Sequence, residues 1–254
     1  MKQYKAFTEP KNIKKKVGLF DFKVENIKFS EGKKSIKTAD GRKLSSTLWL
    51  TRHINDRFTK MSKVMGFSSR ASFKLIEIIE KYNLFSSILK SDVILELGCA
   101  PGGWTQVLEE CIFKKEKTIQ QKTKLIALDI LPDSYVTNNV IFLQGDFEND
   151  ETQAQLYTLC EGGKISFILS DIAANSTGNN SVDRLNMIRI VESMIEFCKK
   201  HLQQRGCFVF KSLKGCDEAF IAQLKELFQD VSRFKPVSSR KDSSEIYLIC
   251  QKKK

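Results

Sequence analysis

One stretch decides the fold: Leu95-Glu96-Leu97-Gly98-Cys99-Ala100-Pro101-Gly102-Gly103-Trp104. The apolar residues 93–95 are typical of a buried parallel strand, and residues 105–110 after the glycines are typical of a helix. A strand that runs through a glycine-rich turn into a helix forms the nucleotide-binding corner of doubly wound α/β folds. The unpaired backbone N–H groups at the start of such a helix face the same corner. We therefore expect an α/β fold with a ligand site after this strand.

The glycines of this turn are not spaced like the dinucleotide-binding fingerprint G-x-G-x-x-G. Gly98, Gly102 and Gly103 lack Cβ atoms, which lets a ligand approach the backbone. Glu96 comes just before the first glycine, and Pro101 splits the turn. An NAD-dependent dehydrogenase is therefore the weakest interpretation, whereas an ordinary turn of some other α/β protein remains open.

Length and composition bound the class of protein. The 254 residues, 41% of them hydrophobic, suffice for one large domain or for a domain with an extension. The sequence shows neither an apolar run that could span a bilayer nor a secretory signal, so we expect no membrane association. Seven scattered cysteines without a C-x-x-C pair, and two histidines, predict a reducing compartment such as the cytoplasm. They also argue against a disulfide framework and a zinc site.

Positive charge is concentrated in the first quarter of the chain. Residues 1–60 contain 16 Lys and Arg against 6 Asp and Glu, whereas the whole chain carries 42 and 30. A basic segment beside a nearly neutral domain fits a nucleic-acid footprint, and equally a solvated lysine-rich tail. We expect residues 1–47 to form a basic, partly disordered extension and residues 48–254 to form the folded domain.

The sequence predicts two helices before the glycine turn. Apolar side chains recur at helical spacing over residues 46–63, and His53 is expected to pack there rather than to act in catalysis. A second helical pattern covers residues 73–79 and includes Lys74. Judged by itself, Lys74 is a typical surface lysine.

Acidic side chains stand at the ends of three further predicted strands. Asp129, Asp146 and Asp171 each follow an apolar run of strand length. In nucleotide-binding α/β folds, an acid at such a position can accept hydrogen bonds from both ribose hydroxyls. For Asp129 and Asp146, a helix-capping or turn role is the alternative.

A lysine closes the next predicted strand. Residues 206–211 are typical of a buried strand, which follows a long helix predicted over residues 182–202. A lysine at the end of a buried strand is costly unless it is paired or functional, so Lys211 is a candidate functional residue. Because the ends of adjacent parallel strands meet at one edge of a sheet, we expect Asp171 to be its neighbour.

Four separated motifs between about Thr47 and Cys250 resemble those of the FtsJ/RrmJ-type RNA 2′-O-methyltransferases. The glycine turn has the form E-x-G-x-x-P-G-G-W, and Lys74 lies in an S-R-A-x-F-K-L segment. Asp171 begins a D-x-A-x-N segment, and Lys211 ends the strand that follows it along the chain. The last motif, K-P-x-S-S-R-x-x-S-x-E-x-Y, contains Glu245. Four motifs in the right order are far more specific than any one of them.

The segment after Asp171 departs from the family pattern. Ala174 stands where the family has a proline, so a looser turn is expected. Asn175 is retained, and residues 175–181 are rich in Asn, Ser and Gly. Such a composition predicts a mobile substrate loop.

The resemblance implies the Rossmann-like class I fold of S-adenosylmethionine-dependent methyltransferases. This is a doubly wound α/β fold with a seven-stranded, mostly parallel sheet, whose last strand pair includes an antiparallel strand. The implied cofactor is S-adenosylmethionine, and the implied product is S-adenosylhomocysteine. The residues that the resemblance assigns to the cofactor are Gly98, Pro101, Gly102, Gly103, Trp104, Asp129, Asp146 and Asp171.

The resemblance also implies a catalytic tetrad of Lys74, Asp171, Lys211 and Glu245. We expect Lys211 to deprotonate or orient a ribose 2′-hydroxyl, with Asp171 fixing the amine and lying near the methyl group. Proton uptake needs a neutral amine, which burial favours and a nearby carboxylate opposes. Lys74 and Glu245 are expected to hold the ribose and the geometry of the tetrad, because positioning carries much of the rate of an in-line transfer.

The segment Trp49–Asp56 resembles bacterial large-subunit rRNA uridine methyltransferases, so a uridine of 23S rRNA in the large ribosomal subunit is the first expected substrate. A tRNA or cap 2′-O-methyltransferase remains open, as does a catalytically silent RNA-binding ribosome-assembly factor. Family likeness favours a monomer. We expect RNA to lie across the extension and the side chains of Arg52, Arg57, Lys63, Arg70, Lys214, Arg240 and Lys241.

Overall fold

The computed structural model describes residues 51–52, 54–85, 93–113, 123–132, 135, 137–160, 165–174 and 176–254. The chain divides into two compact units, Met1–Arg57 and Phe58–Lys254. The predicted extension over residues 1–47, its boundary, and the side chain of His53 lie outside the described residues.

Helices are interspersed with strands along the described part of the chain, which is the order expected of an α/β protein. The helices are α1 Arg57–Met65, α2 Ala71–Tyr82, α3 Gly103–Phe113, α4 Asp150–Leu159, α5 Asn180–His201 and α6 Glu218–Leu227. The strands are β1 Val93–Leu97, β2 Lys124–Asp129, β3 Val140–Gln144, β4 Ile165–Ser170, β5 Leu202–Leu213, β6 Phe228–Phe234 and β7 Glu245–Lys253.

The helix predicted over residues 46–63 is interrupted in its described part. Thr51 and Asn55 are helical, Asp56 is not, and α1 begins at Arg57. The side-chain amide of Asn55 donates to the carbonyl of Thr51 at 2.8 Å. Asn and Asp are poor residues for a helix interior because their side chains compete for backbone hydrogen bonds, which accounts for a break at this point.

Among the described residues, the strands form one seven-stranded sheet in the order β3-β2-β1-β4-β5-β7-β6. The pairs from β3 through β5 are parallel, and β7 runs antiparallel to both β5 and β6. The predicted sheet is therefore confirmed, including its antiparallel strand near the end. The strand order reverses between β1 and β4, and open α/β sheets bind ligands at the carboxyl ends of the strands at such a switch point.

Helices cover both faces of this sheet. On one face, alternate residues such as Leu95 and Leu97 of β1 belong to a core that also contains side chains of α4, α5 and α6. On the other face, Trp104 of α3 packs against Tyr247 of β7, with ring centroids 5.8 Å apart. Tyr82 of α2 packs on Phe234 of β6 at the same centroid distance. Because both faces are buried, β1 and β4 consist entirely of buried residues.

Helix α5 follows the switch-point strand β4 and leads directly into β5. The side chain of Asn179 caps its start by accepting from the N–H groups of Ser181 and Val182 at 3.0 and 3.4 Å. Met187, Val191 and the other buried apolar residues of α5 recur at helical spacing and face the core. None of the described helices, α5 included, combines the length and the apolar character needed to cross a membrane.

All seven cysteines of the sequence are buried thiols. Burial raises the pKa of Cys160 to about 11 and that of Cys198 to about 12. These thiols therefore stay protonated at neutral pH and behave as small apolar side chains of the core.

Candidate active site

The glycine turn closes tightly against its neighbours. Gly98 has φ 79°, and its N–H donates to the carbonyl of Leu128 at 2.8 Å. A Cβ atom at Gly98 would lie 2.8 Å from the backbone nitrogen of Ile172, and one at Gly103 would collide with the side chain of Ser69. The sequence predicted that these glycines admit a ligand, but at Gly98 and Gly103 the Cβ space is taken by protein. They bring the turn against Ile172 and Ser69.

Trp104, one of the predicted cofactor residues, has a buried side chain. Its side chain is 2% exposed, and its indole N–H donates to the carbonyl of Ala71 at 2.9 Å. It therefore holds α3 against α2 from inside the protein, rather than facing the open side of the turn. Pro101, by contrast, is exposed and follows a cis peptide bond.

Two of the predicted acids lie at the edge formed by β2 and β3. The carboxylate of Asp129 accepts from the N–H groups of Ala100 and Leu131 at 2.8 and 2.9 Å. Asp146 is exposed and accepts from the N–H of Glu148 at 3.0 Å. A carboxylate offers about four lone-pair sites, so both groups retain acceptor capacity.

The sheet brings Asp171 and Lys211 together, as the sequence predicted. The amine of Lys211 lies 2.9 Å from Oδ1 of Asp171 and also donates to its backbone carbonyl at 2.5 Å. Because β4 and β5 are adjacent and parallel, their carboxyl ends deliver both residues to one edge.

Tyr247, which was not among the predicted site residues, completes this arrangement. Its hydroxyl donates to Oδ1 of Asp171 at 2.6 Å. Burial alone would raise the pKa of Asp171, but the charges of Lys211 and Lys74, together with the Tyr247 hydrogen bond, lower it. Burial, reinforced by the carboxylates of Asp171 and Glu245, raises the pKa of Tyr247 well above its ordinary value. Asp171 is therefore ionised, and Tyr247 stays a protonated donor.

A second ion pair lies on the other side of Tyr247. The amine of Lys74, on α2, lies 2.9 and 3.0 Å from the two carboxylate oxygens of Glu245, the first residue of β7. The hydroxyl of Ser239 donates to Oε1 of Glu245 at 2.7 Å. The Lys74 amine also lies 5.8 Å from the ring centroid of Tyr247.

The four residues of the predicted tetrad thus converge around one buried tyrosine. Both lysines are buried, and the side chains of the two carboxylates are less than one-fifth exposed. Desolvation offsets most of the Coulombic gain of such pairs, so two of them side by side are weak evidence for stability. Their clustering at a sheet edge is typical of a functional site.

A cleft of about 510 Å³ opens beside Lys211. One wall is the segment predicted to be a mobile loop, but Asp183 accepts from the N–H and hydroxyl of Thr177 at 2.7 Å and from Ser176 at 3.1 Å. These bonds and the start of α5 at Asn180 connect the described part of the segment to α5, and Asn175 lies outside the described residues. The cleft is lined by Ala173, Ala174, Ser176, Asn180, Asp183, Arg184, Met187, Lys211, Leu213, Lys214, Asp242 and Ser244.

Most of the predicted RNA-facing cations that the structure describes are accessible. Lys63, Lys214 and Lys241 are exposed in the second unit, and Arg240 is half-buried there. Arg70 is half-buried, and its guanidinium donates to the carbonyl of Ser238 and lies 5.8 Å from the ring centroid of Phe58.

Sequence comparison decides the family. A family model described as FtsJ-like methyltransferase matches residues 67–253. The chain belongs to this family. It is an S-adenosylmethionine-dependent methyltransferase, and the predicted class I fold is confirmed by its sheet.

Relatives of this FtsJ-like methyltransferase match over most of its length. Ribosomal RNA large subunit methyltransferase E of Rhizorhabdus wittichii is 38% identical over 221 residues, which are 87% of this chain and 91% of that protein. The protein of the same name from Rickettsia akari is 36% identical over 220 residues, 86% of this chain and 94% of its own. A crystal structure of a ribosomal RNA methyltransferase from Plasmodium falciparum superimposes with a TM-score of 0.62 at 31% identity, covering 74% of this chain and 98% of that chain.

The residues at the switch point of this FtsJ-like methyltransferase fit S-adenosylmethionine. Asp129 and Asp146 would provide acceptors for ribose hydroxyls and an exocyclic amine, and the exposed side chains of Ile130 and Leu131 beside them would offer an apolar surface to a base. When bound, the cofactor supplies an electrophilic methyl group. Gly98 and Gly102 have positive φ values of 79° and 92°, which shape the turn that faces this site.

Sequence reasoning missed three residues of the site: Tyr247, Ser239 and Asp183. Tyr247 lies two residues after Glu245 in a strand, and alternation along a strand could have placed both on one face. Ser239 stands in the quoted K-P-x-S-S-R motif without any chemistry that marks it. Asp183 follows the loop that it holds by six residues, a separation that no helical or strand period predicts.

Proposed function

We propose that this enzyme transfers a methyl group to a ribose 2′-hydroxyl of 23S rRNA in the large ribosomal subunit, with a uridine as the target. The observation that carries the proposal is the paired arrangement of Lys211 with Asp171 and of Lys74 with Glu245 around Tyr247. The names of its relatives, at 36–38% identity, support ribosomal RNA as the substrate class.

In this proposal, Lys211 orients the 2′-hydroxyl, and in its neutral form the amine accepts the hydroxyl proton as the oxygen attacks the methyl carbon. Asp171 holds the amine of Lys211 at 2.9 Å, so the lysine points toward one place at the sheet edge. Lys74 and Glu245 hold the ribose from the other side of Tyr247. A 2′-hydroxyl is a weak acid, so most of the rate comes from positioning and from a base within hydrogen-bond reach.

The cleft beside Lys211 is the proposed place of the target nucleotide. Its walls combine the apolar side chains of Met187 and Leu213 with the cations of Arg184 and Lys214. An apolar floor suits a base that has left its stack, and cations at the rim suit the adjoining phosphates. The 2′-hydroxyl of that nucleotide distinguishes RNA from DNA.

The exposed cations supply the wider contact with RNA. Lys63, Lys214 and Lys241 are exposed in the second unit, and Arg52 and Arg57 are exposed in the first. Phosphate contacts release counterions, so we expect RNA affinity to fall steeply as the salt concentration rises. We propose that residues 1–47 form a basic extension that also binds RNA, as a segment separate from the domain over residues 48–254.

The proposal also includes where the enzyme acts and in which oligomeric state. The seven buried thiols support residence in the cytoplasm, where ribosomes are assembled. We propose that the enzyme acts as a monomer.

Asp129, the last residue of β2, is proposed to bind the cofactor ribose. Asp129→Ala should therefore weaken S-adenosylmethionine binding about tenfold, as measured by calorimetry.

The test is transfer of labelled methyl groups from S-adenosylmethionine to three purified substrates. Large ribosomal subunits from a strain that lacks the modification, naked 23S rRNA and bulk tRNA are compared under the same conditions. Label in the subunits is the expected result. Label in tRNA alone would move the substrate to a different RNA, and cofactor binding without label anywhere would favour a catalytically silent ribosome-assembly factor.

A further inference from the structure

Helix α2 and the residue that caps its start present three charged side chains on one face. Arg70, Lys74 and Glu77 are spaced i, i+4 and i+7, which places them one above another along the helix. Lys74 belongs to the tetrad, whereas Arg70 and Glu77 contact the loop between β6 and β7. The same face therefore carries one residue of the tetrad and two residues that bind the loop between β6 and β7.

Arg70 and Glu77 hold the main chain of this loop. The two carboxylate oxygens of Glu77 accept from the N–H groups of Val237 and Ser238 at 2.6 and 2.8 Å. The guanidinium of Arg70 donates to the carbonyl of Ser238. Hydrogen bonds to charged groups are about twice as strong as neutral ones, so residues 237–238 are fixed at both donors and at one carbonyl.

The next residue connects this loop to the tetrad. Ser239 is 6% exposed, and its N–H donates to the carbonyl of Pro236 at 3.0 Å. Its hydroxyl donates at 2.7 Å to Oε1 of Glu245, the oxygen that also lies 2.9 Å from the amine of Lys74. Two donors from different segments therefore converge on one carboxylate oxygen and restrict its rotation.

We propose that Ser239 is a positioning residue for methyl transfer. It orients Glu245 and, through Glu245, the amine of Lys74, and the contacts of Arg70 and Glu77 hold Ser239 in place. The inference rests on the tetrad roles given under the proposed function. It adds to them a support that lies outside the tetrad and the cofactor site.

The loss of the Ser239 hydroxyl should affect turnover more than binding. Without this donor, Glu245 can rotate about its terminal torsion, and Lys74 follows its partner. Transfer rates are sensitive to small displacements of the groups that hold the substrate. We expect Ser239→Ala to lower kcat about tenfold, the effect of about one charge-assisted hydrogen bond, with KM for RNA and the affinity for S-adenosylhomocysteine within about twofold of wild type.

The chain offers matched controls. The hydroxyl of Ser243, in the same loop, donates to the carbonyl of Arg240 at 2.9 Å and not to Glu245, so Ser243→Ala should keep the wild-type kcat. Ser239→Thr keeps a hydroxyl and should restore most of the activity. Glu77→Ala should lower kcat as Ser239→Ala does, whereas Glu80→Ala, at an exposed position of α2, should not.

A double-mutant cycle identifies the route of the effect. Kinetics are measured for wild type, Ser239→Ala, Glu245→Gln and the double variant on the same RNA. We expect Ser239→Ala to cost about tenfold in the wild-type background and less than about twofold beside Glu245→Gln. An equal loss in both backgrounds, or wild-type kcat for Ser239→Ala alone, overturns the inference. A wild-type enzyme without any transfer to RNA overturns the proposed function instead.

Discussion

The two ion pairs of the site are built in different ways. Asp171 and Lys211 come from adjacent parallel strands, and Lys211 contacts both the carboxylate and the backbone carbonyl of Asp171. Lys74 and Glu245 come from a helix and from the start of an antiparallel strand, and they meet only through side chains. The register of the sheet fixes the first pair, whereas other side chains must fix the second.

This difference suggests that the first pair takes part in the reaction and that the second pair holds the substrate in place. The strand-borne pair contains the proposed base, and its backbone belongs to the sheet, whose central strands are buried on both faces. The second pair can adjust, and it is tied down by Ser239. Substitutions in the first pair should therefore act on the reaction itself, and those in the second pair should act on its geometry.

The largest effect is expected at Lys211. Lys211→Ala removes the group proposed to accept the proton and should lower kcat by about a thousandfold, with S-adenosylmethionine affinity nearly unchanged. Labelled-methyl transfer and calorimetry on the same preparation measure both quantities. Lys225→Ala, at an exposed position of α6, is the control. Retained turnover would remove Lys211 from its role.

A smaller loss is expected at Glu245. Glu245→Gln keeps the shape of the side chain but releases Lys74 from its ion pair, so kcat should fall about a hundredfold through misplacement of the ribose. Glu226→Gln on the exposed side of α6 should leave single-turnover rates unchanged. If Glu245→Gln costs as much as Lys211→Ala, the two pairs are not different in kind.

Tyr247 lies between the pairs and should matter less than either. Tyr247→Phe removes one hydrogen bond to Asp171 while the ion pair with Lys211 remains, so kcat should fall about fivefold. Tyr157→Phe, on a half-exposed ring of α4, is the matched control. An unchanged kcat would mean that Lys211 alone fixes Asp171.

The smallest effect is on stability at acid pH. The pKa of Asp171 is lowered in the folded protein: burial raises it, but Lys211, Lys74 and Tyr247 outweigh burial. Its ionised form therefore stabilises the fold fully above the unfolded pKa of about 3.9, and that contribution is lost as the pH falls through the lower folded value. The Tm difference between wild type and Asp171→Asn should be constant above about pH 5 and shrink below about pH 4.

A control for this measurement is Asp230→Asn. Asp230 pairs with Lys252 at 2.7 Å, and both side chains are more than half exposed. Such a pair contributes little to stability, so its Tm difference should stay close to zero across the same pH range. A Tm difference between wild type and Asp171→Asn that grows toward acid pH would contradict the direction of the pKa shift of Asp171.

The sequence predicted the strand-borne half of the site well. Local patterns define each strand, and the rule that parallel strands end at one edge is enough to place Asp171 beside Lys211. The placing of Lys74 and Glu245 in one tetrad came only from family resemblance, and their direct ion pair was not predicted, because 171 residues separate them and no period connects them.

The side-chain supports could not be predicted from local patterns. Glu77 reaches Val237 across 160 residues, and its position on α2 indicates only a polar face. Arg70 is of a residue type that often binds RNA, and the sequence does not show that its guanidinium donates to the loop carbonyl of Ser238. Trp104 shows the same limit, since its place in a ligand motif does not reveal that its side chain points inward.

The labelling rates of the seven buried thiols can report how often different segments of the enzyme open. A buried thiol reacts with an alkylating reagent only when the segment around it opens and the thiolate forms. Cys99 lies in the glycine turn and Cys216 in the turn after β5, whereas Cys207 and Cys250 lie in paired strands of the sheet. The order in which they become labelled, with and without bound S-adenosylhomocysteine, would show which segments part to admit cofactor and RNA and which never open during turnover.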